Sequence, residues 1–139
     1  MYIKTENEEK KKYLRGYQKE KRHLQRLEEE LVELRLGKML PSVIQDGMPH
    51  ASGGGDLSGY AARVDRLERK ILKARYKCVS RFKEIKDRIE RLEDENEKDV
   101  LMYRYIKGMK WEDIAVKMDY SWKQIHRFHS NALEKFKMT

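Results

Sequence analysis

Between Glu6 and Leu40 the chain has no proline, and Tyr17, Leu24, Leu27, Leu31 and Leu34 recur at intervals of three, four or seven residues, with Tyr13 and Leu14 extending the row. Side chains at that spacing line one stripe of an α-helix, and the charged residues between them cover the remainder. A second row runs Leu57, Tyr60, Val64, Leu67, Ile71, Ala74, Cys78, Ile85 and Leu92, broadened by Phe82 and Ile89. A long helix with a single apolar stripe needs another helix to cover it, which constrains the chain to a helical hairpin or coiled coil. The two helices are expected over about 6–40 and 57–92, each about 50 Å long at 1.5 Å rise per residue. Gly16 reads as a tolerated weak point in the first, and Asp56 as the N-cap of the second. Matched lengths suggest an antiparallel pair, and whether the arm folds on itself or pairs with a second chain as a homodimer stays open.

Composition agrees with this. Charged residues make up 40% of the chain against 39% hydrophobic, too little for a large globular core. Between the rows lies LPSVIQDGMPHASGGGD, whose prolines, Asp46-Gly47 and three glycines stop both helices. This loop, 41–56, reads as slack connection or as a docking segment through Val43, Ile44 and Met48. Its glycines lack the Gly-Lys-Ser/Thr of a phosphate-binding loop.

The acidic break EDENEKD at 93–99 separates a helical arm, 1–93, from a C-terminal domain, 94–139. Asp94 or Asn96 is placed to cap a helix containing Val100, Leu101, Tyr105 and Ile106, which Gly108 ends. A short helix follows with Trp111, Ile114, Ala115 and Met118. Asp119-Tyr120 then turns the chain, and Ser121 caps a last helix from Trp122 to about Lys137. A short helix, a tight turn and a capped second helix predict a helix-turn-helix, whose second helix enters the major groove by its N-terminal end. Ile125, Phe128, Ala132, Leu133 and Phe136 form that helix's inward stripe. Trp122, Lys123, Gln124, His126 and Arg127 are left outward near its start, where Gln suits adenine and Arg or Lys suits guanine or phosphate. Trp122 reads equally as a contact to sugar or to a thymine methyl, or as cover for neighbouring apolar surface, and Trp111 as packing beneath the helix pair.

Net charge supports a polyanionic partner. The chain carries a formal +8, and residues 98–139 hold nine Lys and Arg against five Asp and Glu. No nucleophile, base and oxyanion donors assemble, so neither enzyme activity nor a cofactor is expected. His126 and His129, three apart, are two ligands at most and make no zinc site. Cys78 sits on the apolar seam as a packed thiol and is the only cysteine, which excludes an internal disulfide and suits a reducing compartment. With no run of about 18 apolar residues and no signal-peptide start, no membrane partner is expected and a cytoplasmic location is.

The segment VLMYRYIKGMKWEDIAVKMDYSWKQIHRFHSNALEKFK, 100–137, resembles the C-terminal promoter-reading domain of bacterial RNA polymerase sigma factors. Arg104-Tyr105, WEDIA, Ser121 and ALEKF fall in that family's order. The basic arm with its glycine-rich link is similar to small phage and prophage proteins of Gram-positive bacteria that carry such a tail. The resemblance implies that Ser121, Trp122, Lys123, Gln124, His126 and Arg127 face the groove. It also implies that Arg104, Trp111 and Glu112, with Lys110 beside them, touch the DNA backbone. Sigma factors that read the usual upstream element have Arg, Glu, Arg and Arg where this chain has Trp122, Lys123, Gln124 and His126, so a different sequence preference is implied. The arm lacks the aromatic cluster with which a complete sigma factor melts promoters. The implied role is a phage or prophage activator in a bacterial host cell, with double-stranded DNA as partner and host RNA polymerase as an open second one. Two alternatives stand beside it: a phage packaging protein of small-terminase type, and a polymerase-binding coiled-coil module that never touches DNA.

Overall fold

The computed structural model describes residues 2–39 and 53–139, and these are all-helical, with no strand among them. In chain order the helices are α1 (Tyr2–Leu14), α2 (Gly16–Met39), α3 (Gly53–Glu90), α4 (Glu95–Leu101), α5 (Trp111–Met118) and α6 (Trp122–Lys135). A π-helical turn over Met102–Ile106 continues α4. None of these helices is long and apolar enough to cross a membrane. All but the last four residues of the glycine- and proline-rich loop, 40–52, lie outside the described residues, and the docking reading of Val43, Ile44 and Met48 lies there with them.

Three boundaries differ from expectation. The first long helix is interrupted at Arg15, although Arg15 N–H still bonds Lys11 C=O at 2.9 Å and Lys19 N–H bonds Arg15 C=O at 3.1 Å. Gly16 follows the interruption, and its low helix propensity lowers the cost of leaving the regular path there. The second long helix starts at Gly53, so Asp56 lies within its first turn rather than capping it. A carboxylate is favoured anywhere in that first turn by the free amides, so an aspartate alone does not mark the boundary residue. At its other end α3 stops at Glu90, where Leu92 N–H turns back to Ile89 C=O at 3.0 Å.

By contacts the chain groups into two units, 1–20 with 78–139, and 21–77. This grouping cuts across the composition break at 93/94, because α1 and the end of α3 pack with the C-terminal helices. Leu14, Ile85, Ile89, Leu92, Leu101, Tyr105, Ile106, Ala132, Leu133 and Phe136 form one apolar cluster. Each fully buried aliphatic side chain there contributes about 1.5–3 kcal/mol by leaving water. Beside it Val100, Ile114 and Ile125 form a second cluster, enclosed by Tyr103, Met109, Trp111, Ala115, Met118 and Phe128. Polar anchors tie the same unit together. The Lys10 ammonium, 5% exposed, donates to Leu133 C=O at 2.7 Å and so supplies a partner for the unsatisfied end of α6. Tyr13 donates to Glu84 at 2.8 Å and accepts from Arg88, and burial with that carboxylate bond pushes its hydroxyl up to about 12. Cys78 is buried, as its seam position predicts.

In the unit 21–77, Leu67, Ile71 and Ala74 of α3 are buried, whereas Leu24, Leu27, Leu31 and Leu34 of α2 are half-buried. Glu28 pairs with Arg75 at 3.6 Å, Arg35 with Glu68 at 2.6 Å, and the Lys38 ammonium lies 5.7 Å from the Tyr60 ring centre. Partner numbers on α3 fall as those on α2 rise.

Candidate nucleic-acid interface

Local chemistry sets the start of α4, α5 and α6. Asp94 caps α4, its carboxylate accepting from Glu97 N–H at 3.0 Å. The helix then loosens: Lys107 N–H reaches Met102 C=O at 3.0 Å, a five-residue step, and Met109 N–H reaches Tyr103 C=O at 3.0 Å. Gly108 takes φ +68°, where a β-carbon would strain the backbone and stand 3.3 Å from the Gln18 carboxamide. That carboxamide donates to Ile106 C=O at 2.7 Å. The helix α5 ends on Asp119 in the left-handed conformation, φ 58°, ψ 47°, with Tyr120 N–H returning to Ala115 C=O at 3.1 Å. Aspartate tolerates that conformation better than most side chains. Ser121 then caps α6, its hydroxyl accepting from Gln124 N–H at 3.1 Å.

Around the start of α6 the side chains form a stack rather than a row of independent donors. The His126 ring lies between two indoles, its centre 3.9 Å from Trp122 and 4.5 Å from Trp111. The Arg104 guanidinium lies 4.4 Å from the Trp111 ring centre and donates to Met109 C=O at 3.0 Å. Below it, the Trp111 ring centre also approaches His129 edge-on at 4.7 Å, and His129 Nε2 shares a 2.7 Å hydrogen bond with the buried Tyr105 hydroxyl. Burial first, then the neighbouring positive charges of Lys11 and the arginines, push the His129 imidazole down to about 3, so it is neutral at ordinary pH. Burial and Arg104 lower His126 in the same direction. Burial likewise raises the Tyr105 hydroxyl to about 12.

The expected site residues therefore divide. Ser121, Trp122, Lys123 and Arg127 are exposed together at the start of α6, with Gln124 half-buried among them. His126, which its place on the helix predicts as an outward donor, is half-buried, its ring packed against Trp111 and Trp122 and its Nε2 buried with no hydrogen-bond partner among the described residues. Of the residues aligned with backbone contacts, Lys110 and Glu112 are exposed, whereas Arg104 and Trp111 are half-buried in the stack. An exposed carboxylate repels phosphate, so the Glu112 side chain itself is unsuited to an anionic partner. His129 is buried. Each histidine packs against aromatic neighbours, and among the described residues no group of three or more His, Cys, Asp or Glu that could hold a metal ion includes either. Tyr120, read from the sequence only as part of the turn with Asp119, is exposed, stacks edge-on against Phe128 at 5.0 Å and accepts from the Asn96 amide at 3.3 Å. Its position beside the Ser121 cap is the only sequence signal that could have marked it.

A short helix ending in a left-handed turn, followed by a capped helix with Lys123 and Arg127 one turn apart, is chemically suited to hold an anionic groove. The exposed Trp122 adds an apolar surface beside those cations. No protein family, curated protein or solved structure matches the chain.

Proposed function

We propose that the chain is a sequence-specific double-stranded DNA-binding protein that regulates transcription, acting as a phage or prophage activator together with host RNA polymerase. In this reading α5 and α6 are a helix-turn-helix, with the first two turns of α6 in the major groove. The paired stretches of α2 and α3 are an antiparallel arm. The falling order of the Glu28–Arg75, Arg35–Glu68 and Lys38–Tyr60 contacts supports that arm.

One observation carries the DNA reading: the Ser121-capped start of α6 exposes Trp122, Lys123 and Arg127 side by side directly after the tight Asp119 turn. Lys123 and Arg127 supply charge for phosphate or guanine, and Gln124 supplies an amide suited to adenine. The reading includes no catalytic step and no cofactor.

The test is selection of the full chain against a random duplex library, followed by affinity for the recovered site and a scrambled one across salt. A regulator binds its site at least about a thousandfold more tightly than scrambled DNA. Replacing Lys123, Gln124 and Arg127 by Ala should abolish that preference while the helical circular dichroism stays intact. Binding that is weak, wholly salt-driven and without a motif would reject the reading. A protein-interaction module is the second reading, and it has its own observation: Val32 and Leu36 on α2, and Leu72 and Tyr76 on α3, are exposed apolar pairs one turn apart. Capture of polymerase by a chain with no DNA affinity would favour it.

A further inference from the structure

We propose that Trp122 is the specificity-determining residue of this helix, a fixed aromatic face that packs against the 5-methyl group of a thymine in the major groove. This rests on the DNA-binding reading above and names the base feature that the same site would read.

Three observations converge on it. Trp122 keeps 58% of its surface exposed although it is a large apolar side chain, at the first position of α6 and next to the exposed cation Lys123. Its other face is covered: the His126 ring centre lies 3.9 Å away, Trp111 backs His126 at 4.5 Å, and Arg104 backs Trp111 at 4.4 Å. The indole is thus held by a ladder that reaches from α6 through α5 to the turn after α4. A side chain already held in one position loses little conformational freedom on binding, which favours a shape-specific contact over a general one. The ladder also takes up one edge of His126, whose Nε2 is buried with no hydrogen-bond partner among the described residues.

The chemistry of the groove then selects the ligand. Every base-pair edge in the major groove is a pattern of hydrogen-bond donors and acceptors, and the one apolar group among them is the thymine methyl. Trp122 brings an apolar face to that surface, and the adjacent Lys123 and Arg127 suit the flanking phosphates or a guanine.

Thymine-to-deoxyuridine replacement removes that methyl and nothing else. With the full chain and the duplex recovered from random selection, each thymine is replaced in turn and the dissociation constant measured. Loss of one buried methyl should weaken binding about fourfold at one position. The Trp122→Ala chain should bind the thymine and deoxyuridine duplexes alike, and Trp122→Phe should retain part of the difference. No position sensitive to the methyl in the native chain would overturn the proposal without any variant being needed. So would an unchanged methyl effect in Trp122→Ala with native circular dichroism. A rise in 2-aminopurine fluorescence at the contacted position would overturn it in favour of stacking on an extruded base. Failure to recover any motif would overturn the DNA-binding reading as well, and it is recognisable because every duplex then binds with the same salt-dependent affinity.

Discussion

The two units of the chain use similar apolar rows to different depths. In 1–20 with 78–139, Leu14, Ile85, Ile89, Leu101 and Ile114 are sealed from water at 0% exposure. In 21–77 the best-buried of the described residues, Ile71 and Ala74, retain 3%, and Leu24, Leu27, Leu31 and Leu34 of α2 are only half-buried. Two helices facing each other enclose one side of each stripe and leave its flanks in water. A third and a fourth helix close those flanks, as α4 and α6 do around Leu14 and Ile85. Enclosure also changes what polar groups do. In the first unit Lys10, Glu97 and His129 are buried, and each has a specific partner. In the second, the ion pairs are exposed on both sides.

The sharpest break of this contrast is a matched set of three truncations. Phe136→Ala should cost about 3–5 kcal/mol and Leu14→Ala about 2–5, whereas Leu31→Ala, at a half-buried site, should fall near 1 kcal/mol. Urea denaturation of the full chain reads all three, and equal losses at Leu14 and Leu31 would erase the difference between the units.

Acid should act mainly on the enclosed unit. The folded imidazole of His129 is pushed down to about 3, whereas an unperturbed histidine takes its proton near 6.5. Between those values the unfolded chain binds the proton and the folded chain does not, so stability is full above about pH 6.5 and falls as pH drops toward 3. The total is on the order of a few kcal/mol, with a slope of at most about 1.4 kcal/mol per pH unit from this one group. His129→Gln should flatten the slope in melts taken from pH 7 to 4.5, and a slope unchanged by it would show that His129 is not the group responsible.

Lys10→Met should cost about 1–3 kcal/mol, because it leaves the buried Leu133 carbonyl without its donor. Amide hydrogen exchange in the last turn of α6 should quicken with it, and unchanged protection would remove Lys10 as the cap. The smallest effect belongs to the open unit. Arg35→Ala breaks a pair exposed on both sides and should cost less than about 1 kcal/mol in the same urea measurement.

Much of this architecture is legible residue by residue. The caps at Asp94 and Ser121 and the left-handed Gly108 follow from side-chain chemistry within three or four residues, and each stands where the spacing predicts. The rows of α2 and α3 are legible for the same reason, since a helix repeats over a few residues whatever surrounds it. The start of α3 is less so, because Asp56 suits several positions in a first turn. The π-helical turn at 102–106 carries no local mark. Among the candidate site residues, Lys123 and Arg127 stand exposed as their helix positions suggest, whereas His126 does not. A helical wheel places His126 outward because it registers only α6, and the ring that covers its far side, Trp111, comes from α5.

The sequence by itself determined that this chain is helical, that Ser121 caps α6, that α4 is capped at Asp94 or Asn96, and that positive charge gathers in its last third, since all of these depend on nearest neighbours and on counting. Only the tertiary structure decided which stripes are fully enclosed. It also decided that Lys10 closes α6 from 123 residues away. The same holds for His126, whose ring packs against both Trp122 and Trp111. Those outcomes rest on surfaces brought together from distant parts of the chain, and contacts of that kind leave no periodicity in a sequence.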